Sequence, residues 1–151
     1  LFDVGHGAGS FWFYNAVAGA QQGFFPDSIS TDLHADSFNG PAFDMQTTMS
    51  KFLSIGLPLE DVIARSTAAP ARAIGHPELG SLSVGSPADI AAFEVQEGTF
   101  HFVDCGRARL VGQRRLKCVL TLKEGEVMYN PLGLGFPEWE HAPAEYRGIP
   151  G

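Results

Sequence analysis

The sequence has few cysteines and little positive charge. The cysteines bear on the cellular compartment, and the charge bears on the class of partner. Its two cysteines, Cys105 and Cys118, show no metal-ligand spacing and no disulfide framework, which predicts a protein of the reducing cytoplasm. Ten Lys and Arg residues stand against 17 Asp and Glu residues, giving a net charge of −7. Because a phosphate-binding surface needs clustered cations, this balance disfavours nucleic acid as a partner.

Long apolar runs are also missing. No run approaches the ~20 residues of a membrane span, so we expect no membrane partner. Hydrophobic residues still make up 44% of the 151 residues, which argues against disorder and allows a real core. The basic residues that do cluster are interpreted as the flank of a solvated hairpin; they are Arg107, Arg109, Arg114, Arg115 and Lys117.

The most informative stretch is residues 26–34. Ser28 to Thr31 are small and β-branched residues behind a Pro-Asp turn, a pattern that predicts a short buried strand. Asp32 follows directly, and His34 comes two residues later, where the strand gives way to a loop. Polar residues at the C-terminal end of a barrel strand lie where chemistry occurs, and a carboxylate there can bind a metal or take a proton from water. Capping of a turn by Asp32 explains the local pattern equally well.

A second strand end is predicted at the start of the chain. Leu1 to Val4 indicate a buried strand, which the glycine-rich turn 5–9 follows. His6 in this turn therefore lies just past a strand end, as Asp32 does. The spacing of these glycines matches neither a dinucleotide-binding motif nor a P-loop. Phe11 to Gln22 predict a helix with Ser10 as N-cap; its core face comprises Phe11, Tyr14, Val17 and Ala18. Strand, helix and strand in succession predict a βαβ unit with parallel strands.

Two further helical patterns follow, and then the helical periodicity ends. Met45 to Ile55 predict a helix capped by Asp44; its core face comprises Met45, Met49, Phe52 and Leu53. Pro70 interrupts a third helical region and is interpreted as opening a new short helix. Residues 80–130 predict β-structure, with strands at Ile90–Val95, Thr99–Val103, Arg114–Leu122 and Glu126–Tyr129. Residues 131–151 predict an extended tail that is anchored by Phe136, Trp139 and Tyr146.

Four motifs in this order resemble the amidohydrolase superfamily. They are Phe2-Asp3-Val4-Gly5-His6-Gly7, Ile29-Ser30-Thr31-Asp32-Leu33-His34, Pro70-Ala71-Arg72 and Gly80-Ser81-Leu82-x-x-Gly85-x-x-Ala88-Asp89-Ile90. The last motif is shared widely across the superfamily, whereas the first two are more typical of its dihydroorotase-like amidohydrolase and deacetylase metallohydrolases. The resemblance covers nearly the whole chain, from the seventh barrel strand to the C-terminus.

The resemblance implies an α/β fold in three segments. Residues 1–79 correspond to the C-terminal part of a (β/α)8 TIM-type barrel, namely its last two strands and helices. Residues 80–130 correspond to part of a small β-sandwich, and residues 131–151 to the tail. The implied activity is metal-dependent hydrolysis of a non-peptide carbon–nitrogen bond, or a related ester, in a small-molecule substrate. The chemistry would be deacetylase-like.

The resemblance also assigns roles to three residues. Asp32 resembles the carboxylate that binds a divalent metal and acts as general base on the attacking water. The expected metal is zinc, with one or two ions in the complete protein. His6 resembles a substrate-contacting residue, and His34 is placed in substrate binding in a supporting role.

The sequence departs from the superfamily in its metal ligands. Members also carry a His-x-His pair, a Lys or Glu and two further histidines on earlier strands, and the five histidines here include no His-x-His. A single Asp cannot hold a catalytic zinc, which takes three or more protein ligands. We therefore expect a fragment that begins inside a strand, needs the N-terminal part of the barrel and is inactive alone. The oligomeric state is left open, a homo-oligomer included.

Two other functions stay open at this point. The chain could be a non-catalytic binding module that retains the β-sandwich and packs its barrel remnant on a partner. It could also be a small enzyme with a rebuilt site composed of His6, Asp32, His34 and Asp36.

Overall fold

The computed structural model describes residues 1–143 of the chain. These residues form β1 (Asp3–Gly5), α1 (Phe13–Gln21), β2 (Ser28–Ser30), α2 (Met45–Ser54), α3 (Leu59–Ser66), α4 (Ala68–Ala73), β3 (Ile90–Val103), β4 (Arg109–Lys123) and β5 (Glu126–Tyr129), with short 3-10 helices at Pro77–Gly80 and Trp139–His141. Helices and strands thus alternate in the first half, and an antiparallel sheet follows. None of the helices in this described part is long and apolar enough to cross a membrane.

The first two strands are parallel, as the βαβ pattern predicts. Val4 pairs with Ile29 in the middle of the ladder, and both side chains pack into the hydrophobic core beneath the helices. Because side chains alternate along a strand, Asp3, Ser28 and Ser30 face the opposite side. There the Asp3 carboxylate accepts hydrogen bonds from Ser28 Oγ at 2.5 Å and from Ser30 Oγ at 2.6 Å.

Helix α1 is shorter than predicted and is capped differently. Trp12 occupies the N-cap position without a side-chain bond, so the prediction of Ser10 as N-cap is wrong. The cap comes from the distant Asp104, whose buried carboxylate accepts a hydrogen bond from Phe13 N at 2.8 Å. The predicted core face is also wrong at Tyr14, which is 85% exposed, whereas Phe13 is buried in its place. A cap this far along the chain leaves no local pattern in the sequence.

Helix α2 follows the prediction closely. Asp44 accepts a hydrogen bond from Thr47 N at 2.7 Å, and Met49, Phe52 and Leu53 are buried. Pro70 lies in the first turn of α4, which begins after a break at Thr67 and confirms the predicted helix restart.

The antiparallel sheet has the order β3-β4-β5, with longer strands than predicted. The two strands predicted at 90–95 and 99–103 are one continuous strand, β3, with an irregularity between Glu97 and Phe100. Strand β4 begins at Arg109 rather than at Arg114, so residues 104–108 alone separate it from β3. The predicted basic cluster lies on this hairpin. Glycine and bulge positions let the hairpin continue where the sequence pattern indicates a break.

The sheet and the first half of the chain share one hydrophobic core. Phe102 and Leu116 from the sheet join Phe11 and Phe52 from the first half. Polar side chains of α2 also satisfy backbone groups of β4: Ser50 Oγ accepts from Leu116 N at 2.9 Å, and Gln46 Oε1 accepts from Cys118 N at 2.6 Å. Helix α2 therefore serves the part of β4 that β5 does not pair.

Close approach of β4 to α2 requires Gly112. A Cβ at Gly112 would overlap Ser54 Oγ and lie 2.9 Å from Phe102 Cε2. We expect Gly112→Ala to lower the free energy of unfolding by about 1–3 kcal/mol, because a close-packed interior gives way only with strain. Urea unfolding measures the effect. Gly9→Ala is the matched control, since a Cβ there meets no atom within 4 Å; equal stability of the two variants would contradict the prediction.

The C-terminal segment is less anchored than predicted. Phe136 is 71% exposed and Trp139 is 79% exposed, so neither packs as an anchor on the described residues. Tyr146, the third predicted anchor, lies outside the described residues.

Candidate active site at the ends of two parallel strands

Asp32 lies at the C-terminal end of the parallel strand pair. It follows β2 after one intervening residue and has a left-handed backbone conformation with φ 45°. A Cβ built on Gly5 would lie 3.4 Å from Asp32 Cβ, and one built on Gly7 would lie 2.7 Å from Asp32 Oδ2. The carboxylate therefore extends over the turn that follows β1. The absence of side chains at Gly5 and Gly7 leaves it room.

His34 also lies close to Gly7. A Cβ on Gly7 would lie 3.6 Å from His34 Cε1, and the His34 Nδ1–H donates to the Asp32 carbonyl at 2.7 Å. Ser37 Oγ accepts a hydrogen bond from His34 N at 3.0 Å, which fixes the start of the loop. The structure thus brings Asp32 and His34 together at an exposed strand end.

His6 occupies a different environment from the other two. Its side chain is fully buried, and its ring stacks on Phe11 with centroids 4.8 Å apart. The Nδ1–H donates to the Gly7 carbonyl at 3.0 Å, and Nε2 accepts from Lys51 Nζ at 2.6 Å. Both ring nitrogens are therefore occupied by protein groups. A role for His6 in substrate binding stays a prediction.

Lys51 is the residue of this site that the sequence reasoning missed. It is fully buried in α2, and its Nζ donates to both His6 Nε2 and the Pro41 carbonyl, the latter at 2.7 Å. Burial lowers the pKa of Lys51 to about 8, although Cys105, Asp104 and Asp44 act in the opposite direction. Burial also lowers the pKa of His6, and the charge of Lys51 adds to that effect. No local pattern marks a helical Lys as buried, because its partner lies 45 residues away.

The burial of Lys51 predicts that the stability of the protein varies with pH in the alkaline range. Between pH 8 and the ordinary Lys pKa of 10.5, the unfolded chain holds the Lys51 proton more tightly than the folded chain does. The free energy of unfolding should therefore rise with pH across this window, by at most about 1.4 kcal/mol per pH unit from this group. Urea unfolding at pH 7.5 to 10.5 measures the slope. Lys51→Met should remove this contribution, and Lys123→Met, at an exposed position, should retain it; identical slopes in the two variants would contradict the prediction.

The residues at the strand ends do not make a complete metal site. A carboxylate is a suitable zinc ligand, but a catalytic zinc takes at least three protein ligands. Within residues 1–143, no group of three or more His, Cys, Asp or Glu side chains is arranged to hold a metal ion. The four residues of the rebuilt-site hypothesis are therefore not assembled as a metal centre by this chain.

The chain matches a known protein family over most of its length. The profile of the amidohydrolase family matches residues 26–129, a range that includes Asp32, His34 and Lys51. This chain belongs to the amidohydrolase family. The resemblance inferred from the four sequence motifs is thereby confirmed.

Individual relatives of this amidohydrolase chain are deacetylases. One from Brucella anthropi is 44% identical over 102 residues, which are 68% of this chain and 25% of the relative. One from Enterococcus faecalis is 31% identical over 131 residues, which are 86% of this chain and 36% of the relative.

Solved structures also match most of this chain, and again the match covers only part of the other protein. An adenine deaminase matches the amidohydrolase chain with a TM-score of 0.81 and 31% identity, covering 86% of this chain and 36% of the deaminase. A dihydroorotase matches with a TM-score of 0.78 and 35% identity, covering 85% of this chain and 35% of the dihydroorotase. The chain thus spans between 25% and 36% of the lengths of these proteins.

Proposed function

We propose that this chain is the C-terminal part of a metal-dependent hydrolase that cleaves a non-peptide carbon–nitrogen bond, or a related ester, in a small molecule. Deacetylation is the favoured reaction, because the curated relatives at 44% and 31% identity are named deacetylases. The observation that carries the proposal is the exposed Asp32 carboxylate at the joint ends of two parallel strands, inside the region that matches the family. Strand ends of this kind carry the chemistry of α/β barrels.

Asp32 is suited to move a proton at this position. Its side chain is short and exposed, and the absence of side chains at Gly5 and Gly7 leaves room for its carboxylate. We propose that Asp32 accepts a proton from the attacking water and then donates it to the leaving group as the bond breaks. A bound divalent ion such as zinc would supply hydroxide at neutral pH by lowering the pKa of its water to about 7. His34, beside Asp32, has the supporting role in substrate binding.

The remaining ligands must come from outside this chain, under this proposal. Strand β1 pairs with β2 on one edge, and the described residues place no strand on its other edge. Phe2 and Phe24 lie close to that strand, and 53% and 57% of their surfaces are exposed. Their rings contact each other, with centroids 5.4 Å apart. Two strands cannot close a barrel, so we assign this edge and these rings to contact with the earlier barrel strands.

The isolated chain and the complete protein should differ sharply. We expect the complete protein, expressed with the sequence encoded upstream, to contain stoichiometric divalent metal and to hydrolyse members of a panel of N-acetyl and cyclic amide substrates. The 151-residue chain alone should do neither. Metal analysis by mass spectrometry and a product assay on both proteins measure this. Metal-dependent hydrolysis by the isolated chain would refute the fragment proposal, and a complete protein without metal or activity would favour a binding module.

We propose a cytoplasmic location for the protein. Cys105 and Cys118 are both free thiols in the structure, which agrees with the reducing cytoplasm that the sequence predicts.

A further inference from the structure

We propose that Lys51 is a positioning residue for Asp32, acting through His6 and the turn at Gly7. This inference rests on the proposed function of Asp32, because it explains how that carboxylate is held in place. Lys51 makes no hydrogen bond to Asp32 at the C-terminal ends of the two strands, so its contribution would be indirect.

A fully buried ammonium group requires an explanation. Buried charges in proteins are normally paired with a carboxylate or replaced by apolar residues, because taking an ion out of water is costly. The two hydrogen-bond partners of Lys51 Nζ, His6 Nε2 and the Pro41 carbonyl, are both neutral. Apolar replacements of buried ions are often neutral or stabilising, and the acidic groups that favour the Lys51 charge, Cys105, Asp104 and Asp44, offset only part of the effect of burial. We attribute the benefit of Lys51 to the loops that its hydrogen bonds hold.

The two bonds of Lys51 hold two different loops. His6 belongs to the turn after β1, and Pro41 belongs to the loop between β2 and α2, which also contains Asp32 and His34. The ammonium thus ties both loops to one rigid helix. Since the strands are parallel, these are the two loops that meet at the same edge of the sheet.

The contacts continue from His6 to the carboxylate. With Nε2 accepting from Lys51, the other ring nitrogen carries the proton and donates to the Gly7 carbonyl. Gly7 N in turn donates to the Thr31 carbonyl at 2.9 Å, directly before Asp32, and the Asp32 carboxylate lies over the same glycine. Loss of the Lys51 bond would release the His6 ring, the Gly7 turn and the surface against which Asp32 is held.

The test uses the complete protein with Lys51→Met, which keeps an unbranched apolar stem and removes both hydrogen bonds. We expect kcat to fall about 10- to 100-fold, because small misplacements of a catalytic group have effects of this size, while KM changes by less than about threefold. Backbone amide exchange in segments 5–10 and 33–44 should become about tenfold faster, with the β3–β4 hairpin unchanged. Lys123→Met is the matched control, since Lys123 is an exposed lysine that bonds Asp89 at 2.7 Å.

A second variant makes the route through His6 testable. His6→Phe keeps a ring to stack on Phe11 but has no nitrogen, so it should show the same loss of kcat and the same local exchange as Lys51→Met. The double variant should be no worse than either single variant, because both break one chain of contacts. Wild-type kcat in Lys51→Met, multiplicative losses in the double variant, or faster exchange throughout the protein would each overturn the inference. If Lys51→Met does not fold, His6→Phe decides the question alone.

The proposed function fails separately. Full activity in Asp32→Asn would refute the role of Asp32, and the exchange data would then decide by themselves whether Lys51 holds the two loops.

Discussion

Replacing Asp32 with Asn should lower kcat of the complete protein by about 10²- to 10⁴-fold, the range that a general base contributes. Asn has the same shape as Asp and can follow the same left-handed backbone, but its amide does not take a proton from water. The loss should therefore appear without a loss of structure. A substrate assay and circular dichroism on the same preparation separate the two effects.

Asp61→Asn is the appropriate control, because Asp61 is an exposed carboxylate in the first turn of α3 and belongs to neither of the loops that follow β1 and β2. It should leave kcat unchanged. Metal content should be determined for both variants, since a lower metal content in Asp32→Asn would mean that the carboxylate serves as a ligand as well as a base. Equal activity of the two variants would show that Asp32 only caps the turn, the alternative that the sequence leaves open.

Replacing Asp104 with Ala should lower the free energy of unfolding by about 2–4 kcal/mol, which combines the loss of a helix cap with an unpaired buried N–H. Asp104 is 3% exposed, and each of its oxygens accepts a backbone hydrogen bond at 2.8 Å, one from Phe13 N and one from Ala108 N. The substitution leaves the first turn of α1 and the hairpin turn without a partner at the same time. Urea unfolding of the two proteins measures the difference.

Asp89→Ala is the matched control for Asp104. Asp89 also bridges a backbone N–H and a second donor, Glu124 N at 2.8 Å and Lys123 Nζ at 2.7 Å, but it does so at the surface. Water replaces an exposed partner, so this variant should be close to wild type in stability. A similar loss in both variants would indicate that burial of the Asp104 carboxylate is not what makes it important.

The features that the sequence predicts correctly depend on local patterns. The Asp44 cap, the apolar face of α2 and the parallel βαβ unit all follow from residues that are neighbours in the chain or in one element. The placement of Asp32 at a strand end follows in the same way, from a run of small residues that ends at a polar one. Local chemistry is enough for these features, because the residues that decide them lie within one or two turns.

The features that the sequence does not reveal depend on distant partners. Lys51 has the sequence appearance of a solvated helical lysine, and its burial depends on hydrogen bonds to His6 and to the Pro41 carbonyl, which are 45 and 10 residues away. Tyr14 fits the helical periodicity of α1, yet Phe13 is buried instead, where its backbone N–H bonds the carboxylate of Asp104, 91 residues away. The hairpin is longer than predicted because pairing across β3 and β4 continues past residues with weak strand patterns. In each case tertiary packing overrides the local preference.

The cap on α1 has a consequence for synthesis on the ribosome. Phe13 and Asp104 are separated by 91 residues in the chain, and at typical elongation rates the ribosome needs roughly 5 to 18 s to add them. During that interval the first turn of α1 lacks its acceptor, and the loop containing His6 and Gly7 has no hairpin to pack against. We expect this end of the protein to acquire its final arrangement late, after the hairpin emerges from the exit tunnel.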